Sequence, residues 1–424
     1  MVEGLATRDF ALWTIVVSLA VTCACYLWLS RREGSYLNIL TPSFLINVPA
    51  YYLLPLVFVG FTGTLFGAEY SSYAYAYVYA TLALESVGFV AAYLWTGKRV
   101  VRLPFATGYR KFSKIALICL GLGMAAYLPV LLEFRQFIFD PRQIYRLTRT
   151  GYGLESYVSA FLALLAVVFI LFARCRRRTK ILVVAAASGL LMLHGSKGQV
   201  LMVAFLIMLF EVYVRGRKLS PLRALVAGAA VAVVLLGLFA ATMNLGSDSS
   251  STIEKISSYS DYTRNAMLVI DSRMPAQHGR LTFQANFYSA IPRAFMPNKP
   301  KDFGTFYLAK KFYPEWFYSD TGSPAFGIGL QYADFGAFAI VYLLFFALLE
   351  GWLARIFVNR LKVTKHPADF VVMAFLAGVS IMPFGGVGWL FPEIIVVAFA
   401  MRYVSRIGAR PVTFRPKQEA LGHA

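Results

Sequence analysis

The amino-acid sequence predicts an all-α polytopic membrane protein with about 11 transmembrane helices, on three observations. Of its 424 residues, 58% are hydrophobic, far more than a soluble domain needs to fill its core. Only 15% are charged, against roughly 25% in soluble domains. Those charges stand in short clusters between long apolar runs, and the basic clusters recur at every second connection. A helical bundle in a bilayer uses a whole chain at once, so residues 1–424 read as a single integral membrane domain.

A crossing needs about 20 apolar residues. Runs of that kind cover residues 10–29, 39–60, 74–96, 115–133, 154–173, 223–243, 328–352 and 369–388. The first is too long, and too weakly basic in front, for a cleavable leader, so it reads as a retained helix. The stretch from Ile181 to Val214 is interrupted by His194-Gly195-Ser196-Lys197-Gly198 and divides into two short crossings of about 24 Å each at 1.5 Å per residue. A last short crossing, Trp389 to Met401, follows the turn from Pro383 to Gly388.

Orientation follows from the basic clusters: Arg31 and Arg32; Lys98 to Lys114; the run from Arg174 to Lys180; Arg215 to Arg223; Arg355 to Lys365; and the C-terminal tail. All fall on one side, which the positive-inside rule makes cytoplasmic, with the N-terminus periplasmic and the C-terminus cytoplasmic. These clusters hold 26 of the 41 Lys and Arg residues. The net charge of +20 is therefore mostly topogenic, and nucleic-acid binding is left without support. The four cysteines, Cys23, Cys25, Cys119 and Cys175, imply neither a disulfide nor a zinc site.

Two outer connections break the charge rule. One is 134–153; the other is 244–326, a large, partly helical periplasmic loop inserted between transmembrane helices 8 and 9 and too long for a plain connector. In the first, Asp140 to Gly151 has an Asp cap, Pro in the first turn and a terminal Gly, the pattern of a short helix with Arg142, Arg146 and Arg149 on one face. Three guanidiniums on one stripe repel unless an anion sits between them. A pyrophosphate suits them, and lipid headgroups at the outer interface are the plainer occupant. Lys197 places a cation at the outer rim, in a turn without P-loop spacing. It reads equally as a hairpin tip with a snorkelling lysine.

In the long loop, Ser251 and Glu254 have capping-box spacing. The helix they would start carries Ile253, Ile256, Met267 and Ile270 on one side, and Asp261, Arg264, Leu268 and Asp271 on another. Asp261 and Arg264 read most simply as a surface ion pair. Beyond lie His278, Arg280 and the segment 291–300, whose prolines present Arg293 and Lys299 on stiff backbone. The aromatics from Phe303 to Tyr318 suggest an interfacial belt, with rings that face sugars as the alternative. Two acids at membrane depth, Glu85 and Glu393, are functional by default or bond to neighbouring hydroxyls.

Arg264 within SDYTRNAM, the IPRAFMPNKP stretch, LQYADFGAFAIVY and the GSKG turn together resemble the Wzy-type O-antigen and oligosaccharide repeat-unit polymerases. Ala333-Asp334 departs from the family pattern, as does Lys197, where Arg is common. The resemblance implies a GT-C-like, metal-independent membrane glycosyltransferase of the bacterial inner membrane, without a cofactor. Its substrate would be an undecaprenyl-pyrophosphate-linked oligosaccharide, and its product O-antigen of lipopolysaccharide or an exopolysaccharide. It would move the growing chain onto a fresh lipid-linked unit, and it leaves room for a chain-length regulator protein as partner.

On that resemblance, Arg264 and Arg293 stabilise the departing pyrophosphate, and His278 accepts the acceptor's proton, with Asp271 and Asp334 as further bases. Arg142, Arg146, Arg149, Lys197, Arg280 and Lys299 hold pyrophosphate or glycan. Two other functions fit less closely. An O-antigen ligase uses similar basic loops. A lipid-linked glycan flippase or transporter usually carries its charges near the midplane, often with internal repeats, whereas these charges lie in outer loops and no repeat is present.

Overall fold

A computed structural model describes residues 5–65, 67–97, 111–138, 140–148, 152–195, 197–218, 261–291, 295–318, 324–381 and 392–406. Their regular structure is helical, and the extended pairing among them is two isolated bridges, Leu5 with Ser71 and Leu65 with Ala68.

The first helix, α1 (Arg8–Glu33), starts where the Thr7 hydroxyl accepts from the Phe10 N–H. Asp9 in its first turn and Arg31 and Arg32 in its last complement the helix dipole. The second, α2 (Thr41–Thr62), contains Pro42, Pro49 and Pro55, and its middle widens into a π-helical turn at Val48–Leu53. Pro42 opens the first turn, where no N–H is needed, but Pro49 and Pro55 withhold interior N–H groups, so the regular ladder yields around them and the run 39–60 is not one uniform helix. Next come α3 (Ser72–Trp95), α4 (Phe112–Glu133), the short α5 (Pro141–Leu147), α6 (Gly153–Phe172) and α7 (Arg177–Leu193). Then α8 (Lys197–Leu209) continues through a second π turn to Val214.

Outside the bundle lie α9 (Asp261–Asp271), α10 (Arg280–Ala290), α11 (Thr305–Phe312), α12 (Pro314–Tyr318) and α13 (Gly329–Phe335). The chain re-enters as α14 (Ala339–Thr364), α15 (Pro367–Leu376) and α16 (Pro392–Arg406).

Among the described residues, six helical segments are long and apolar enough to cross a membrane: Arg8–Glu33, Thr41–Thr62, Ser72–Trp95, Phe112–Glu133, Gly153–Phe172 and Gly329–Thr364. Shorter apolar helices run over Gly198–Val214, Pro367–Leu376 and Ile394–Val404. The expected crossing at 223–243, the turn 383–388 and the Ser251 to Glu254 cap lie outside the described residues. The run 369–388 is not an unbroken helix: α15 stops at Leu376, and Gly378 adopts a left-handed φ of 79° that turns the chain. Val379 N–H closes back on the Ala374 carbonyl at 2.8 Å, and Val379 and Ile381 stay buried beyond the break.

The helix ends sort into two sets. At the basic end, the Glu33 carboxylate accepts from the hydroxyls of Tyr93 (2.5 Å) and Tyr213 (2.7 Å) and pairs with Arg355 (3.2 Å), joining α1, α3, the end of α8 and α14. Nearby, the buried Asp369 accepts from Arg360 at 2.6 Å, Thr364 at 2.7 Å and Arg402, joining α14, α15 and α16. At the opposite end, Ser71 meets Asp271 and the Tyr77 hydroxyl donates to the Ala337 carbonyl. Between the two ends, α3 and α14 pack closely. A Cβ at Gly351 would lie 2.2 Å from the Phe89 carbonyl oxygen, so only glycine permits that approach.

The outer helices have a small core of their own, built from Val269, Leu281, Leu308, Phe326 and Leu330. The aromatics expected to form an interfacial belt largely serve that core. Phe303 is buried, and Tyr307, Phe312, Tyr313 and Phe317 pack against it, while Trp316 and Tyr318 remain exposed. One face of α9 packs on the bundle, and the helices beyond it supply an apolar interior of their own, which the aromatic density provides. Met267 and Ile270 are buried, as the amphipathic pattern of α9 requires.

Candidate functional site

The seat of Arg264 is assembled from three directions. Helix α9 lies on α3 and α13. Its C-terminal Asp271 accepts from the Ser71 N–H at 2.8 Å and the Ser71 hydroxyl at 2.5 Å, and that same hydroxyl caps α3 by accepting from the Ala74 N–H at 3.0 Å. One serine thus fixes where α3 begins and where α9 ends. On the other flank Gly329 allows α13 to approach Ala266, where a Cβ would stand 2.8 Å from the Ala266 Cα.

Arg264 pairs with Asp261 one turn earlier at 2.8 Å. Their side chains are 25% and 12% exposed, so this is a half-sequestered pair rather than the fully solvated one the spacing suggests. Burial pushes the Asp261 carboxyl above its usual range and the Arg264 charge opposes that shift. Tyr313 donates to Asn265 Oδ1 at 2.6 Å, and Asn265 donates to the Ala325 carbonyl at 2.7 Å. Burial raises the Tyr70 and Tyr313 phenols, and in both cases Arg264 pulls the other way. Arg264 therefore sits among polar groups from the 63–71 connection, α9 and the approach to α12. Sequence reasoning missed Tyr70 and Ser71, gave Asn265 no role, and singled out Tyr313 only as one of the belt aromatics, since no local spacing links Tyr70, Ser71 or Tyr313 to Arg264.

A second group forms around α5. Asp140 caps it, its carboxylate accepting from the Gln143 N–H at 3.2 Å, and Pro141 opens it, as the sequence indicates. Arg142 and Arg146 stand one turn apart on this helix; Arg149 lies outside the described residues. Gly195 packs directly on α5: a Cβ there would fall 2.4 Å from the Pro141 carbonyl oxygen. The glycine turn and the arginine helix, separate features in the sequence, thus meet, and Lys197 begins α8 two residues further on. His194 is buried, hydrogen-bonded through Nε2 to the Ser159 hydroxyl at 3.1 Å and stacked on Tyr127 at 4.0 Å, the arrangement of a packed rim residue.

The other expected residues divide by engagement. Asp334 is fully buried, and its two carboxylate oxygens accept from the N–H groups of Leu281 (2.9 Å) and Thr282 (2.5 Å), which makes it the N-terminal cap of α10. His278 is exposed and held at a left-handed φ of 52°, its N–H bonded to the Asp334 carbonyl at 2.7 Å. Arg280 is exposed and lies over the Tyr307 ring at 5.3 Å. Lys299 donates to the Ile291 carbonyl at 3.0 Å and lies over Phe303, so it closes its own loop. Arg293 lies outside the described residues. Among the described residues, no three His, Cys, Asp or Glu side chains gather as metal ligands.

No family model matches the sequence, and no solved structure does. Among curated proteins, the O-antigen polymerase of Salmonella typhimurium is 36% identical to it over 379 residues, covering 88% of this chain and 90% of that one. The O-antigen polymerase of Salmonella typhi aligns to the same extent. Such identity, sustained across nearly the whole of both chains, places the protein in the O-antigen polymerase family.

Proposed function

We propose that the chain polymerises undecaprenyl-pyrophosphate-linked oligosaccharide repeat units into O-antigen at the periplasmic face of the bacterial inner membrane. The observation that carries this reading is the identity to two O-antigen polymerases over most of the chain. The basic end is cytoplasmic by the positive-inside rule, which puts α5 and α9 to α13 on the periplasmic side and the C-terminus inside. About 11 crossings in a GT-C-like arrangement remain the reading of the apolar runs. A chain-length regulator would be a partner at the same face.

In the reaction, an acceptor hydroxyl on the new unit attacks the anomeric carbon of the growing chain. The bond from that carbon to the lipid pyrophosphate breaks, and the pyrophosphate leaves with the electron pair. The hydroxyl proton passes to a base. Negative charge grows on the leaving group, and fixed cations at that position lower the barrier without a metal. Arg264 is suited to this because its pair with Asp261 and its hydrogen bond with the Tyr313 hydroxyl hold it in place before substrate arrives. Arg142, Arg146 and Arg149 would grip a pyrophosphate at α5, with Lys197, Arg280, Arg293 and Lys299 as further cationic contacts.

Among the three base candidates, Asp271 and Asp334 already accept backbone and hydroxyl hydrogen bonds, whereas the His278 side chain is exposed. His278 is the base in this scheme. The test is a chromosomal deletion complemented with the gene, read on a lipopolysaccharide gel. A single repeat on the core in the deletion supports polymerisation, and accumulated lipid-linked polymer would instead identify a ligase. Lipid-linked repeats left chemically unchanged by the purified protein would mark a transporter.

A further inference from the structure

Two glutamates inside the bundle serve none of the chemistry above. Glu85 lies in α3, about 20 Å along the helix from Ser72 and about 15 Å from Trp95. Glu350 lies in α14, about 17 Å from Ala339 and about 21 Å from Thr364. Both are therefore near mid-depth, on the seam where Gly351 brings the two helices together. They line one cavity of about 440 Å³ between α1, α2, α3, α14 and α15.

Among the described residues, no Lys, Arg or His lines this cavity, and no hydrogen bond or salt bridge reaches either carboxylate. Its other titratable walls are Cys25, Tyr26, Tyr52 and Tyr342. Two bare carboxylates facing each other at membrane depth are costly unless positive charge is supplied. The backbone around them adds to the demand. The break after α15 turns the negative end of that half-helix, at Gly378 and Ser380, onto the cavity. Irregular backbone at this depth is tolerated where it lines a cavity, and interrupted helices near the midplane recur at ion sites. The π turn of α2 contributes Tyr52, whose hydroxyl is linked to Thr22 at 3.0 Å, and Thr22 to Ser86 at 3.3 Å, beside Glu85. The donors are thus almost all oxygen, the set preferred by hard cations, and their charge excludes a phosphate.

We propose that this cavity is an intramembrane cation site in which Glu85 and Glu350 hold positive charge as a proton or a sodium ion. The site is separate from the outer-face arginines and does not depend on the polymerase reading. Its test uses the full-length protein in lipid nanodiscs treated with dicyclohexylcarbodiimide, which modifies protonated carboxyls in apolar surroundings, followed by peptide mass mapping. An adduct on Glu85 or Glu350 that sodium chloride suppresses, but choline chloride does not, establishes sodium as the occupant. An adduct insensitive to sodium and lost as pH rises from about 5 to about 9 establishes the proton. No adduct on either residue, or one indifferent to both sodium and pH, overturns the proposal. In the sodium case, Glu85→Gln and Glu350→Gln should each weaken radioactive sodium binding at least about tenfold. Should either variant fail to fold, the wild-type adduct pattern alone decides.

Discussion

Replacing Arg264 separates a catalytic role from a structural one, because Asp261 offers a way to remove the structural need. The two charges are 2.8 Å apart. At an effective dielectric near 20 their direct attraction is about 6 kcal/mol, and desolvation leaves a net contribution of about 2 kcal/mol for a pair this sequestered. Arg264→Met should therefore lower stability by about that much, since it leaves Asp261 without its cation. Asp261→Asn removes the unpaired charge, so the double variant Asp261→Asn with Arg264→Met should recover most of that stability. Activity should not recover. A positioned cation facing a departing pyrophosphate is worth about 3 to 4 kcal/mol, a loss of about a hundredfold to a thousandfold in rate. The assay is the lipopolysaccharide ladder, with a thermal unfolding curve and a membrane-insertion reporter for each variant. Asp261→Asn alone should keep a ladder. A full-length ladder from the double variant would show that Arg264 only neutralises Asp261, and the assignment would fall.

Three further outcomes follow from the geometry. Gly195→Ala should shorten or abolish the ladder, because its Cβ collides with Pro141 at a φ of 66° and displaces the arginine helix. Gly198→Ala, with nothing within 4 Å, is the control, and equal ladders from the two would refute the coupling. Asp334→Ala should strip two buried N–H groups of their acceptor and destabilise the outer helices by about 2 to 4 kcal/mol, seen as faster proteolysis between residues 261 and 335. Unchanged digestion would show that the cap is dispensable.

His366, buried at the start of α15 with its Nδ1 accepting from the Ala368 N–H at 3.1 Å, is held down to about 4, first by burial. Its folded value lies below the free value, so its contribution is complete above about pH 6.5 and is lost as pH falls towards 4, up to about 3 kcal/mol. Thermal unfolding should thus weaken more between pH 7 and pH 5 in the wild type than in His366→Asn. Parallel curves would remove His366 as the cause.

What could be read from the sequence was what is local. The apolar runs up to residue 173 mark their helices within a few residues, because the length a bilayer demands is written in consecutive positions, whereas the run 328–352 ends 12 residues short of Thr364 and the run 369–388 breaks at Leu376. Asp140 and Pro141 announce α5 for the same reason, since a cap acts within one turn. The interruptions escaped notice. The π turn at Val48–Leu53 and the stop after Leu376 leave the apolar pattern intact, and only backbone geometry distinguishes them. Glu85 stood out as an acid in an apolar run, but its companion Glu350 did not, because facing one cavity is a property of two helices packed together. The capping role of Asp334 was equally hidden, since its partners lie more than fifty residues earlier. Arg264 was found through resemblance to a family, and its neighbours Tyr70 and Tyr313 came only with the fold.

The Glu33 junction bears on how the protein is made. Its partners lie at residues 93, 213 and 355, so they emerge from the ribosome in that order, long after Glu33 itself. Until α14 is synthesised, the Glu33 carboxylate has tyrosine hydroxyls but not the Arg355 cation that balances it. Closure of the bundle at that end is thus a late event of translation, and chains truncated before residue 355 should be the ones that membrane quality control removes.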